Sequence, residues 1–98
     1  MQIRILAPAE DDLLAGFEFY EAQGVGLGAY FLDSLFADID ALLIHAGVHP
    51  IVFGKYHRML AGRFPFAVYY TLDGDTALVH AVLDCRRNPE RTRRRLRQ

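Results

Sequence analysis

The two halves of this sequence repeat their apolar residues at different intervals, and this change limits the possible folds more than any other feature. Before residue 47, apolar side chains recur every three or four residues over two segments, which is the period of an amphipathic helix. After residue 55 they alternate with polar residues or form short apolar blocks, which is typical of strands. The sequence therefore predicts an α+β fold in which an α-helical hairpin packs on one face of an antiparallel β-sheet.

The predicted elements follow the order β-α-α-β-β-β, with a short C-terminal helix after the last strand. The predicted strands cover 2–7, 56–61, 64–72 and 76–84. The predicted helices cover 8–23, 29–46 and a short segment that begins at Pro89 with Asn88 as its N-cap. The glycine-rich segment 24–28 separates the two long helices and predicts a turn between them. We expect the N-terminal strand at an edge of the sheet or beside the last long strand.

Length and composition limit the class of protein. With 98 residues, of which 52% are hydrophobic and 23% charged, the chain fits a single domain over 1–98. It has no apolar run long enough to span a membrane and no signal-peptide pattern at its start, so we expect a cytoplasmic protein. Cys85 is the sole cysteine, which excludes an internal disulfide and a cysteine zinc cluster.

Charge is divided unevenly along the chain. Residues 1–50 carry eight acidic side chains and one basic one, whereas residues 51–98 carry ten basic and four acidic ones. Seven of the basic residues are arginines close to the C-terminus: Arg86, Arg87, Arg91, Arg93, Arg94, Arg95 and Arg97. The two halves can neutralise each other inside the fold, or the basic half can bind a polyanion or an acidic protein.

The familiar catalytic and metal-binding motifs are missing from the sequence. Gly24-x-Gly-x-Gly28 follows a helix and lacks the Lys and Ser/Thr of a phosphate loop, so it predicts a helix–helix turn. The four histidines lack zinc-ligand spacing. Ser34 is the sole serine and lies in a predicted helix, which argues against Ser-His-Asp chemistry. We therefore expect no metal ion and no cofactor.

A set of basic and aromatic residues on the predicted strands and at their ends is the candidate site. Its members are Tyr56, His57, Arg58, Arg63, Arg86 and Arg87. Arginine suits the recognition of phosphate and carboxylate groups, and histidine or tyrosine can move a proton. The alternative is a solvated basic sheet edge that pairs with the acidic helices.

Several segments in order resemble small toxins of the RelE/ParE superfamily. The first two similar segments are APAEDDL at 7–13 and FYE at 19–21. The strongest similarity is the block RMLAGRFPFAVYY at 58–70, followed by AVL at 81–83 and RRNP at 86–89. The resemblance covers nearly the whole chain, and it implies the fold predicted above.

This resemblance implies the toxin of a type II toxin–antitoxin module, with an antitoxin protein as its partner. RelE-like members are ribosome-dependent mRNA endoribonucleases, whereas ParE-like members of the plasmid-stabilisation type inhibit DNA gyrase. The nucleases carry a basic residue near the position of Phe66 and a tyrosine or histidine near 90–94, and this chain has neither. The resemblance therefore favours a ParE-like gyrase inhibitor that is not an enzyme.

Two other functions stay open at this point. In a RelE-like endoribonuclease, Arg58, Arg63 and Arg86 would hold phosphates, and His57 or Tyr56 would transfer protons. A degenerate member that binds an antitoxin without being toxic is the second alternative.

Four apolar residues are candidates for contact with the antitoxin. Leu32 and Phe36 widen the apolar stripe of the second helix beyond what one face needs, and Ile51 and Phe53 belong to an apolar segment after it. These side chains predict an exposed apolar groove that an antitoxin segment fills.

Overall fold

Five strands form one sheet with helices on both faces, in a computed structural model that describes residues 1–97. The strands are β1 (Gln2–Ile5), β2 (Ile51–Val52), β3 (Tyr56–Leu60), β4 (Phe66–Asp73) and β5 (Thr76–Asp84). The helices are α1 (Ala7–Glu21), α2 (Leu27–Asp40), α3 (Leu42–His45) and α4 (Pro89–Arg97). The strand order across the sheet is β1-β5-β4-β3-β2.

The predicted α+β architecture and element order are confirmed. The N-terminal strand lies at an edge and beside the last long strand, as expected, but it runs parallel to β5, so the sheet is mixed rather than wholly antiparallel. The second predicted helix is divided at Ala41, where the amide of Ile44 donates to the carbonyl of Ala41 in a tighter turn. The short strand β2 was not predicted, because two residues have no measurable periodicity.

Helices α1 and α2 form the predicted hairpin and cover one face of the sheet, here called the hairpin face. Phe31, Leu35 and Ile39 of α2 are almost fully buried among residues such as Val68 and Tyr70 of β4. Burying one such apolar side chain stabilises the fold by about 1.5–3 kcal/mol. This layer therefore holds most of the hydrophobic core.

The opposite face of the sheet, here called the α4 face, has a smaller core under the C-terminal helix. Leu96 of α4 packs with Tyr56, Tyr69, Ala81 and Leu83 of the sheet. The hydroxyl of Tyr56 also donates a 2.6 Å hydrogen bond to the carbonyl of Leu96. Helix α4 covers only part of this face, so its flanks form cavities.

A β-bulge in β5 changes which side chains face α4. Tyr69 pairs with Ala81 and Tyr70 pairs with Val79, so His80 has no partner of its own across the β4–β5 pair. The extra residue lets His80 join the α4 face, where its ring lies 5.2 Å from that of Tyr56.

In residues 1–97 no helix combines the length and the apolar character required to cross a bilayer.

Candidate functional site

A small cavity on the α4 face brings together two of the predicted arginines. Arg58 of β3 and Arg87, from the turn before α4, line a space of about 230 Å³ with Tyr69 and Thr92. Arg58 and Tyr69 are paired across the β3–β4 ladder, and Arg58 Nε donates to the Tyr69 hydroxyl at 3.3 Å. This contact raises the pKa of the Arg58 guanidinium, so Arg58 keeps its positive charge in a cavity that the Asp84 carboxylate also lines.

His57 lies on the opposite face of the sheet from Arg58. Its ring stacks on the Tyr70 ring at 5.0 Å between centroids, and its Nδ1 lies 2.8 Å from the carbonyl oxygen of His49. Neighbouring residues on a strand point to opposite faces, which is why the pattern at 56–58 cannot place all three side chains together. His57 therefore cannot transfer a proton to a ligand held by Arg58 and Arg87.

Arg63 and Arg86 also lie outside this cavity. Arg63 follows β3, and its Nη1 donates to the hydroxyl of Tyr30 on α2 at 3.0 Å. Arg86 donates to both carboxylate oxygens of Asp84, at 2.9 and 2.6 Å, and this contact lowers the pKa of Asp84. Of the six predicted site residues, the structure brings together Arg58 and Arg87, with Tyr56 nearby under α4.

A larger groove lies between the β2–β3 hairpin and α4, and it is here called the α4 groove. Its volume is about 640 Å³, and its lining residues are Phe53, Gly54, Lys55, Tyr56, Arg93, Leu96 and Arg97. Phe53 also lines the smaller cavity with Arg58, so the two spaces adjoin. The sequence analysis missed this groove, although the i, i+4 spacing of Arg93 and Arg97 predicts that they share one side of a helix.

The four apolar candidates for antitoxin contact do not all lie together. Phe36 on α2 is 41% exposed, whereas Leu32 is partly buried against the main core. Ile51 is 60% exposed and is paired with His57, which places it on the hairpin face of the sheet. Phe53 belongs to the α4 groove on the other side.

One ion pair joins the acidic first half of the chain to the arginine-rich end. Arg95 of α4 donates to both carboxylate oxygens of Asp12 on α1, at 2.7 and 2.6 Å. Arg86 pairs with its neighbour Asp84, and Arg93 lies 3.8 Å from Glu90. Within residues 1–97, no ion pair engages Arg87, Arg91, Arg94 or Arg97. Neutralisation inside the fold thus accounts for only part of the positive charge.

Among residues 1–97, no three side chains of the His, Cys, Asp or Glu types are arranged to hold a metal ion. Besides guanidinium groups, aromatic rings and hydroxyl groups, the cavities of the α4 face are lined by the Asp84 carboxylate, the Cys85 thiol, the Lys55 ammonium and the His80 imidazole.

Comparison with known proteins identifies the fold. No protein-family model matches the sequence, and no curated protein matches it significantly. The structure is similar to a solved structure described as the chromosomal ParDE TA system from P. aeruginosa, with a TM-score of 0.75 and 16% sequence identity. The match covers 84% of this chain and 92% of the other. The chain therefore has the fold of ParE/RelE-type toxins.

Proposed function

We propose that this chain is the toxin of a type II toxin–antitoxin module and acts in the cytoplasm. In this proposal it is ParE-like, inhibits DNA gyrase by binding it, and is neutralised by a cognate antitoxin. The observation that supports the toxin assignment is the similarity of the fold to the ParDE structure, over most of both chains.

The arrangement of the α4 face favours binding over RNA cleavage. Cleavage of RNA at a 2′-hydroxyl needs a group that accepts a proton close to the residues that hold the phosphate. Among the described residues no histidine lines the cavity of Arg58 and Arg87, and its one carboxylate, Asp84, is held by Arg86, which lowers the pKa of Asp84 and makes it a weak base. His57 is on the other face, and His80 is engaged with the Thr71 hydroxyl at 2.7 Å. The arginines can hold an anionic group of a partner without any such chemistry.

A growth experiment tests the gyrase proposal. The chain is expressed from an inducible promoter in a bacterial host without the antitoxin, and DNA and protein synthesis are pulse-labelled over the first minutes. We expect DNA synthesis to fall first while translation continues. An early loss of translation with cleaved mRNA would contradict the proposal and support a RelE-like endoribonuclease. If both continue, the chain is a non-toxic member of the fold.

Paired charge variants connect that effect to the site. Arg58→Gln with Arg87→Gln removes both positive charges that line the small cavity and should reduce the inhibition of DNA synthesis. Arg91→Gln with Arg94→Gln removes the same charge from exposed positions of α4 that do not line the cavity. Equal loss of inhibition in both double variants would show that net charge, rather than the cavity, is responsible.

The antitoxin contact is tested at the exposed apolar residues of the hairpin face. Phe36→Ser and Ile51→Ser should weaken co-purification of the cognate antitoxin without lowering the stability of the toxin, because both side chains are exposed. Leu14→Ser is a control on the exposed side of α1. Leu32→Ser is unsuitable as a binding probe, since Leu32 packs against the core and its loss should destabilise the fold. Unchanged co-purification of the first two variants would exclude this surface.

A further inference from the structure

The turn between β2 and β3 holds a large aromatic ring in an unfavourable backbone conformation. Phe53 has a φ of +51°, and the next residue, Gly54, has a φ of +87°. Three residues, 53–55, join the paired residues Val52 and Tyr56, and the positive φ at the first of them would suit Asn, Asp or Gly, because a bulky side chain is strained there. Folding alone would favour a small polar residue at position 53.

The Phe53 ring forms part of a positively charged surface. It is 36% exposed, and the guanidinium of Arg93 lies 5.6 Å from the ring centroid. Lys55 lies in the same way over Tyr56, at 5.3 Å, and Arg97 also lines the α4 groove. No acidic side chain lines this groove among the described residues. Arg93, which also lies 3.8 Å from Glu90, is thus placed over the accessible Phe53 ring, and Lys55 and Arg97 line the same groove.

We infer that the α4 groove binds single-stranded nucleic acid, with one base stacked on Phe53 and phosphates held by Lys55, Arg93 and Arg97. Stacking platforms flanked by cations are the usual means of binding unpaired strands without reading their sequence. The adjoining cavity adds Arg58 and Arg87 but is also lined by the Asp84 carboxylate, so it is not counted as a phosphate site. An acidic protein segment could bind the cations, but its carboxylates would make no stacking contact with the Phe53 ring.

The groove is separate from the gyrase proposal and is tested separately. Binding of fluorescein-labelled dT12 and rU12 to the purified full chain is measured by fluorescence anisotropy over a range of salt concentrations. We expect binding with a slope of log K against log salt of about −2, which corresponds to three phosphate contacts on a single strand. Preference for dT12 or for rU12 identifies DNA or RNA as the source of the strand, and either supports the inference. No detectable binding at low salt would contradict it, whatever the outcome in cells.

Substitutions at Phe53 separate stacking from stability. Phe53→Asn relieves the strained turn, so the variant should be at least as stable to urea as the parent chain, yet its affinity for dT12 should fall about tenfold through the loss of one base stack. Phe53→Tyr keeps the ring and should keep the affinity. Equal affinity of Phe53→Asn and the parent chain would exclude a role for stacking.

Charge variants locate the phosphates. Arg93→Gln with Arg97→Gln should reduce the salt slope from about −2 to about −0.7, because two of three phosphate contacts are lost. Arg91→Gln with Arg94→Gln removes the same charge outside the groove and should leave the slope close to that of the parent. Equal effects of the two double variants would contradict a defined groove. Competition by a twelve-residue polyglutamate peptide at lower concentration than dT12 would replace the inference with an acidic protein partner.

Discussion

At the scale of single residues, Asp12 makes contacts that join three parts of the molecule. One of its carboxylate oxygens accepts a hydrogen bond from the backbone amide of Val82 at 3.0 Å, in the part of β5 beyond the reach of β1. The same carboxylate accepts two hydrogen bonds from Arg95. Its side chain is only 13% exposed, so these partners replace water. Asp12 therefore fixes α1, the end of β5 and α4 relative to one another.

Replacement of Asp12 tests this role. Asp12→Ala leaves the Val82 amide and the Arg95 guanidinium without their acceptor, and we expect a loss of about 2–3 kcal/mol in the free energy of unfolding. Urea unfolding followed by circular dichroism measures it. Arg86→Gln breaks an exposed pair and should leave the unfolding midpoint nearly unchanged. Equal midpoints for Asp12→Ala and the parent chain would show that water replaces these contacts without cost.

His49 gives the fold a dependence on pH. The hydroxyl of the buried Tyr70 accepts from the amide of Gly47 at 2.9 Å and lies 2.5 Å from His49 Nδ1. When the neutral ring carries its proton on Nε2, Nδ1 accepts the phenol proton, and protonation of the ring removes this acceptor. Burial, together with the nearby His57 and His45, lowers the pKa of His49 below its ordinary value of 6.5. The pKa of His80 is also lowered, by burial and by Lys55.

A histidine whose pKa is lower in the folded state binds fewer protons there than in the unfolded chain. Its contribution to stability is present above about pH 6.5 and is lost as the pH falls toward the folded-state pKa. We expect the urea midpoint to decrease between pH 7.5 and pH 5.5. In His49→Gln the amide oxygen can still accept from Tyr70 but does not titrate, so the decrease should be smaller. The same decrease in both proteins would contradict a role for His49.

At the scale of elements, the two long helices approach closely because glycines lie between them. A Cβ atom at Gly16 of α1 would lie 2.4 Å from the Phe31 ring, and one at Gly28 of α2 would lie 2.7 Å from the Phe17 ring. Each glycine thus provides the space for an aromatic ring of the other helix. This reciprocal packing explains why Phe31 is fully buried.

Gly16→Ala tests the close approach. The methyl group must displace the Phe31 ring, and the cost of overpacking should exceed the gain in helix propensity, for a net loss of about 1–2 kcal/mol in unfolding free energy. Phe31→Leu provides the matched background, because the smaller side chain makes room for the methyl group. In that background Gly16→Ala should be neutral or stabilising, which a double-mutant cycle measures. Additive effects would contradict direct contact.

The elements were more accessible to sequence reasoning than the site was. Helical and strand periods predict the order of the major elements, since they record which side of each segment is buried. They do not predict β2, or the bulge at His80, which shifts the alternation within β5. The pair Asp12–Arg95 joins residues 83 positions apart, and nothing local in the sequence indicates it. The arginines were predicted as candidates. Strand alternation places His57 and Arg58 on opposite faces, so the predicted candidates could not all form one site.

At the scale of the whole molecule, stability is concentrated in the sheet and the helical hairpin. Among its side chains, helix α4 buries Thr92 and Leu96. Its contacts with the rest of the fold include the Tyr56 hydrogen bond, the Arg95 bonds to Asp12 and to the Pro8 carbonyl, and Arg93 over the Phe53 ring. Elements with few buried contacts open at lower free energy than the core does. We therefore expect the core to be the most stable part of the molecule and α4, which has few buried contacts, to open more easily.

Hydrogen exchange tests this hierarchy. Amides of α4 should exchange faster than those of β4 and β5 in the intact protein, because α4 opens without global unfolding. Asp12→Asn weakens the ion pair between residue 12 and Arg95 and should accelerate exchange in α4 more than in β4. Arg94→Gln, at an exposed position, should leave the exchange rates of α4 unchanged. Uniform acceleration throughout the chain would show that α4 and the core unfold as one unit.

Because α4 has few buried side chains, its sequence can vary during evolution with little effect on folding. The exposed side chains of α4 include Arg91, Arg93, Arg94 and Arg97, and none of them is buried in the core. Substitutions there can alter which partner is recognised while the sheet and hairpin are left intact. A family of proteins with this architecture can therefore acquire a new target through substitutions in one short helix, and each intermediate sequence still folds.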